Sequence, residues 1–150
     1  MKNFSALLLF VLLVVGGGIS IGILTAPGAW YAALQKPFFN PPNWIFGPVW
    51  TLLYLAIAYT GWRLWLQDSR GPLMRLWGVQ LGLNFLWSPA FFAAQMPLLA
   101  LLVILCLLLT LLLLLRKLWR ADRFLALLTL PYVAWVTFAT ALNAAIVLLN

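Results

Sequence analysis

The stretch GVQLGLNFLWS carries Gln80, Asn84 and Ser88 at four-residue spacing, with Trp87 beside them. On a helix that spacing places the three polar side chains on one face. The stretch PYVAWVTFATALN repeats the pattern with Tyr132, Trp135, Ala139 and Asn143, and Trp50 and Tyr54 stand at i and i+4 in a third. Amides and hydroxyls orient a bound molecule by hydrogen bonding, and indole rings stack on flat apolar molecules. None of these groups is a general acid or base near neutral pH. The rest of the chain adds little chemistry: His is absent, the acids are Asp68 and Asp122, and the single Cys106 lies in an apolar run. That inventory excludes most metal sites, an intramolecular disulfide and any His-based triad. The pattern points to binding, with no catalytic residue, metal or cofactor expected.

The elements that must position these groups follow from composition. The 150 residues are 66% hydrophobic and 7% charged, with a mean hydropathy of +1.08. That is far above the apolar share of a soluble domain and marks an integral membrane protein. The net charge of +7 would suggest nucleic acid in a soluble chain, but here the charges sit between apolar runs and report membrane orientation. The expected fold is an all-α bundle of five transmembrane helices in one domain, with spans near 4–26, 44–66, 72–92, 98–115 and 124–149. Each approaches the roughly 20 residues that a bilayer core requires. A secretory signal is the rival reading of the first span, but its apolar run is too long. Lys2, Arg63, Arg70, Arg75, Arg116, Lys117, Arg120 and Arg123 fall on one side and only Lys36 on the other. This bias predicts a cytoplasmic N-terminus, with the 27–43 loop and the C-terminus outside.

Depth then gathers the polar groups. Read from the outer helix ends at 1.5 Å per residue, Trp50 and Asn143 lie roughly 9 Å down, Asn84 and Ala139 roughly 14 Å, and Trp135 roughly 20 Å. Three helices thus converge polar and aromatic groups in the outer half, a cavity wall by this reading. Trp62, Trp65 and Trp119 near the basic boundary read as interfacial anchors. The fourth span reads as a lipid-facing scaffold. Gly18 with Gly22, and Gly78 with Gly82, satisfy GxxxG and predict close helix contacts, within the bundle or in a homodimer. The long loop, with Pro37, Pro41 and Pro42 and the rings of Trp30, Tyr31, Phe38 and Phe39, reads as a stiff lid above the cavity.

The segments WYAALQKPFFNPPNWIFGPVWTLLY, QLGLNFLWSPAFF and PYVAWVTFATALN resemble the three signature segments of the TspO/MBR family. These are the tryptophan-rich sensory proteins, related to the mitochondrial translocator protein or peripheral benzodiazepine receptor. The resemblance implies five transmembrane helices, often dimeric, and binding of porphyrins such as protoporphyrin IX, of benzodiazepine-type drugs and, in animal members, of cholesterol. Carried over by motif, the pocket falls on Tyr31, Pro41, Pro42, Trp50, Asn84, Trp87, Trp135, Ala139 and Asn143; helical face adds Tyr54 and Gln80. The chain departs from the family where Lys-Pro-Ser-Trp reads Lys36, Pro37, Phe38 and Phe39, and it lacks the animal cholesterol motif after Asn143. A porphyrin stacks on Trp, and its propionates could reach Lys36, Asn84 or Asn143. Without His, a free-base tetrapyrrole fits better than haem. The function expected is a porphyrin-binding sensory or transport protein. The alternative classes are a light-dependent porphyrin-degrading enzyme, with Trp50 and Trp135 as oxidisable rings, and a sterol or lipophile transporter.

Overall fold

A computed structural model describes residues 2–150, and among these there is helix but no strand. In chain order, α1 comprises Lys2–Val11, a π-helical turn at Leu12–Gly16 and Gly17–Leu24. The short α2 is Ala29–Ala33, and α3 is Asn43–Asp68. α4 is Pro72–Ser88, continued by a π-helical turn at Pro89–Ala93. α5 is Pro97–Ala121 and α6 is Arg123–Leu149. α1, α3, α5 and α6 are long and apolar enough to cross a bilayer, whereas α4 has 17 residues before its π turn.

The boundaries have local causes. Pro72 and Pro97 open α4 and α5, where the missing N–H would be unpaired anyway. Pro89 cannot donate to the carbonyl four residues back, and the helix widens into the π turn at that point. Asp122 caps α6, accepting from Leu125 N at 3.2 Å. Its other oxygen takes Arg63 and Gln67 of α3, both at 3.4 Å, which ties α3 to α6 at the basic end.

α5 packs between α4 and α6, while the first half of α1 packs on α3. The main core joins Leu53, Ile57 and Leu64 of α3 to Trp77, Leu107, Leu111, Leu125 and Val136. Trp77 lies flat against Gly61, where an added Cβ would collide with its ring, and donates Nε1–H to Ile57 O at 2.9 Å.

Three expectations are corrected. α5 does not stop near residue 115: Arg116, Lys117 and Arg120 continue the helix to Ala121, because long basic side chains favour helix while reaching out to water. Nor is α5 a mere lipid-facing scaffold, since Ala100, Ile104, Leu107, Leu111, Leu114 and Leu118 bury one full face. Of the two contacts expected of Gly78 and Gly82, the one within the bundle is absent among the described residues: both face outward, with nothing within 4 Å of an added Cβ.

Candidate functional site

At the end of the bundle opposite the Arg63–Asp122 pair, α1, α3, α4 and α6 part around a cavity of about 530 Å³. α3 contributes Phe46, Trp50 and Tyr54, α4 Asn84, Trp87 and Ser88, and α6 Trp135, Ala139 and Asn143. The remaining side is Gly18, Ile19, Gly22 and Ile23 of α1. Trp50 and Tyr54 lie one helical turn apart with ring centroids 5.4 Å apart, and Trp135 is wedged between Phe46 at 5.8 Å and Phe138 at 5.5 Å.

Hydrogen bonds hold the polar walls. Trp87 Nε1–H donates to Asn143 Oδ1 at 3.1 Å, and Asn143 Nδ2 donates to Pro97 O at 2.9 Å, joining α4, α5 and α6. Tyr54 donates to Asn84 Oδ1 at 3.3 Å, Asn84 Nδ2 to the Tyr132 hydroxyl at 2.7 Å, and Tyr132 to Gln80 Oε1 at 2.8 Å. Each Asn amide therefore keeps a second N–H beyond these bonds. Among the described residues, Trp135 Nε1 is the buried side-chain polar atom with no partner. Groups of His, Cys, Asp or Glu able to hold a metal are absent among the described residues.

Above the cavity runs the loop from Thr25 to Pro42, with α2 inside it. Tyr31 of α2 is buried against Phe91 and Phe92, at 6.2 and 5.3 Å, and its hydroxyl donates to Asn40 Oδ1 at 3.4 Å. Burial pushes the Tyr31 phenol above its ordinary range, so it stays neutral.

Compared with known proteins, residues 10–149 match the model of the TspO/MBR family. The chain belongs to that family. It is 43% identical to the "Tryptophan-rich protein TspO" of Archaeoglobus fulgidus, over 99% of each chain. It is 33% identical to the "Tryptophan-rich sensory protein" of Cereibacter sphaeroides, covering 97% of this chain and 92% of that one. Against the human "Translocator protein" identity is 34%, over 76% and 70%. With its long apolar helices, this TspO/MBR member is an integral membrane protein.

Of the residues singled out in the sequence, Tyr31, Trp50, Tyr54, Asn84, Trp87, Trp135, Ala139 and Asn143 line the cavity together. Gln80, Pro41 and Pro42 do not. Gln80 shares a face with Asn84 but lies one turn deeper, where Tyr132 takes its carbonyl beneath the floor. Pro41 and Pro42 lie in the loop leading into α3, and the proline of the loop that reaches the cavity is Pro27. Lys36 is also outside the lining: its Nζ donates to Ala32 O and Leu34 O at 3.3 and 3.2 Å and sits 4.5 Å over the Tyr31 ring. It caps α2 instead.

The sequence reading missed two contributions. Gly18 and Gly22 are part of the cavity, where an added Cβ at Gly18 would collide with Tyr54 and one at Gly22 would meet nothing within 4 Å. The hydroxyls of Thr25 and Ser88 meet at 2.6 Å, closing α1 onto α4 at the cavity edge. Ser88 lay on the polar face already noted, but no periodicity marks Thr25 as its partner.

Proposed function

We propose that this chain is a five-helix transmembrane protein, crossing with α1, α3, α4, α5 and α6, that binds a flat hydrophobic ligand for sensing or transport. The ligand class favoured is a porphyrin, with protoporphyrin IX as the test case. The observation that carries this reading is the cavity of about 530 Å³ walled by Trp50, Tyr54, Trp87 and Trp135. Ligand sites typically enclose about 300–1,000 Å³ with mostly apolar walls and a few oriented polar groups. Indole faces would stack on the macrocycle, and the second N–H of Asn84 and Asn143 supplies donors for propionates or other polar edges. Lys36 lies outside the cavity lining and gives two of its three N–H donors to the end of α2, which leaves one for a carboxylate that reaches it. The orientation favoured places the N-terminus and the basic helix ends in the cytoplasm and the cavity end outside.

Titration of the purified protein with protoporphyrin, followed by tryptophan quenching, tests the reading. Saturable quenching at one ligand per chain supports it, and quenching no greater than that of free tryptophan in the same detergent refutes it. A second reading is favoured by the position of Trp50 and Trp135, whose oxidisable rings both line the cavity. It is porphyrin degradation by dioxygen under light. Illuminated turnover above that of free porphyrin in detergent distinguishes this enzyme from a binder.

A further inference from the structure

We infer that the cavity is reached from within the bilayer, through a slot between the outer halves of α1 and α3, and not through the loop above it. The nature of what passes, a flat apolar molecule dissolved in lipid, rests on the ligand reading above; the slot itself rests on geometry alone.

The loop is fastened like a roof. Gln35 N donates to Asn150 Oδ1 and Asn150 Nδ2 donates to Gln35 O, both at 2.9 Å, so one side chain of α6's end engages both backbone groups of a loop residue. Lys36 caps α2, Tyr31 holds Asn40, and Phe39 meets Phe138 of α6 at 6.2 Å. Lifting this cover off the bundle would break the Asn150 bonds and the Phe39–Phe138 contact together, while the Lys36 and Tyr31 bonds brace the cover from within.

The sides differ. Between α1 and α4 the seam is shut: Gly17 abuts the Phe85 ring and Thr25 bonds Ser88 at 2.6 Å. Between α1 and α3 the helices touch along the first half of α1 and at Gly18, which lies against Tyr54, but Gly17–Leu24 otherwise packs on α4 and leaves α3. Past Gly18 the facing positions are Gly22 and Gly47, and an added Cβ at either meets nothing within 4 Å. Ile23 lines the cavity and is also 72% exposed, so the inner wall runs onto the outer surface of the bundle without a barrier. Past Asn43, the polar residue at the mouth on α3, Thr51 turns its hydroxyl back to Gly47 O at 2.9 Å and offers lipid no free donor. Below Asn43 such a rim admits a molecule arriving from hydrocarbon.

The experiment uses the full chain in lipid nanodiscs with Cys106→Ala, which removes the exposed thiol, and Ala139→Cys, which places one in the cavity. Pyrene maleimide dissolved in the lipid and a sulfonated, water-soluble maleimide are the two probes. The lipid-borne probe is expected to label Cys at 139 faster than the soluble one. Gly22→Phe or Gly47→Phe should slow that labelling by roughly tenfold or more, while Asn150→Ala leaves it unchanged. A melting curve for each variant establishes that it is folded. Labelling indifferent to both phenylalanines, faster with Asn150→Ala, faster from water than from lipid, or absent altogether would each overturn the slot. Protoporphyrin titration of the same protein without the cysteine is read separately, and its failure would remove the porphyrin reading while the labelling still decides the route.

Discussion

Tyr132 donates its hydroxyl to Gln80 Oε1 at 2.8 Å and accepts from Asn84 Nδ2 at 2.7 Å, so one phenol buried in α6 holds two amides of α4 in place beneath the cavity. Through Asn84 the chain of bonds continues to Tyr54 of α3. Because Tyr132 lies below the cavity wall and not in it, its loss should act on the bundle. Tyr132→Phe is expected to destabilise the protein by about 1 kcal/mol, the scale of one polar contact between membrane helices. The measurement is a thermal melt in detergent beside a ligand titration. A lowered midpoint with nearly unchanged affinity is expected.

Trp135→Phe should do the reverse. The indole N–H has no partner in the empty protein, so removing it relieves a buried unsatisfied donor and the melting point should hold or rise slightly. The lost ring area and the lost donor should weaken protoporphyrin by about 1 kcal/mol, roughly fivefold in affinity. Quenching titrations of wild type and variant read the difference. Wild-type affinity in the variant would remove Trp135 from the ligand's contacts.

Trp50, Asn84, Trp135, Ala139 and Asn143 were legible because helical period and depth are both one-dimensional properties: a side chain's face and its distance from a helix end follow from its number. Gln80 marks where that logic ends. It shares the face of Asn84, and only the position of Tyr132 on another helix turns its amide away from the cavity. The glycines were illegible for the same reason, since GxxxG states that a surface is flat and not what lies against it. Gly18 carries Tyr54 of its own chain, Gly22 leaves a gap, and Gly78 and Gly82 face outward. The end of α5 was misjudged because hydropathy reports where apolar residues stop, whereas the backbone continues through Arg116 and Lys117 to Ala121. Pairings such as Thr25 with Ser88 or Gln35 with Asn150 join residues 63 and 115 positions apart, and no local pattern encodes them.

Gly61 offers a test of packing remote from the cavity. An added methyl would strike the Trp77 ring, which is itself held by its bond to Ile57 O and by Phe10 at a centroid distance of 5.3 Å. With no open side to move to, the ring must displace neighbours. Gly61→Ala is therefore expected to lower stability by about 1–3 kcal/mol, as overpacked cores do. An unchanged melting point would mean that α3 and α4 can separate without loss.

The orientation we propose rests on eight basic residues on one side against Lys36 on the other. A reporter active only outside the cytoplasm, fused after Asn150, should be active. A cytoplasmic reporter at the same position should be silent. Activity of the cytoplasmic reporter would invert the arrangement and place the cavity on the inner side.

The last prediction concerns the prolines of the loop. Taken alone, Pro41 and Pro42 suggest a stiff lid whose loosening would speed ligand release. The bonds from Asn150, the Phe39–Phe138 contact and the seat of Tyr31 against Phe91 and Phe92 instead hold the cover to the bundle, and Pro41 and Pro42 stand outside the cavity lining. Replacing both by Ala raises the conformational entropy of the unfolded chain, by roughly 0.5 to 1 kcal/mol per site. The melting point of the empty protein should therefore fall. The release rate of bound protoporphyrin should stay within about twofold of wild type, because a molecule leaving through the α1–α3 slot does not cross the loop. Stopped-flow release measured beside a melting curve separates the two readings. Release accelerated several-fold, with the melting point unmoved, would restore the lid and close the lateral route.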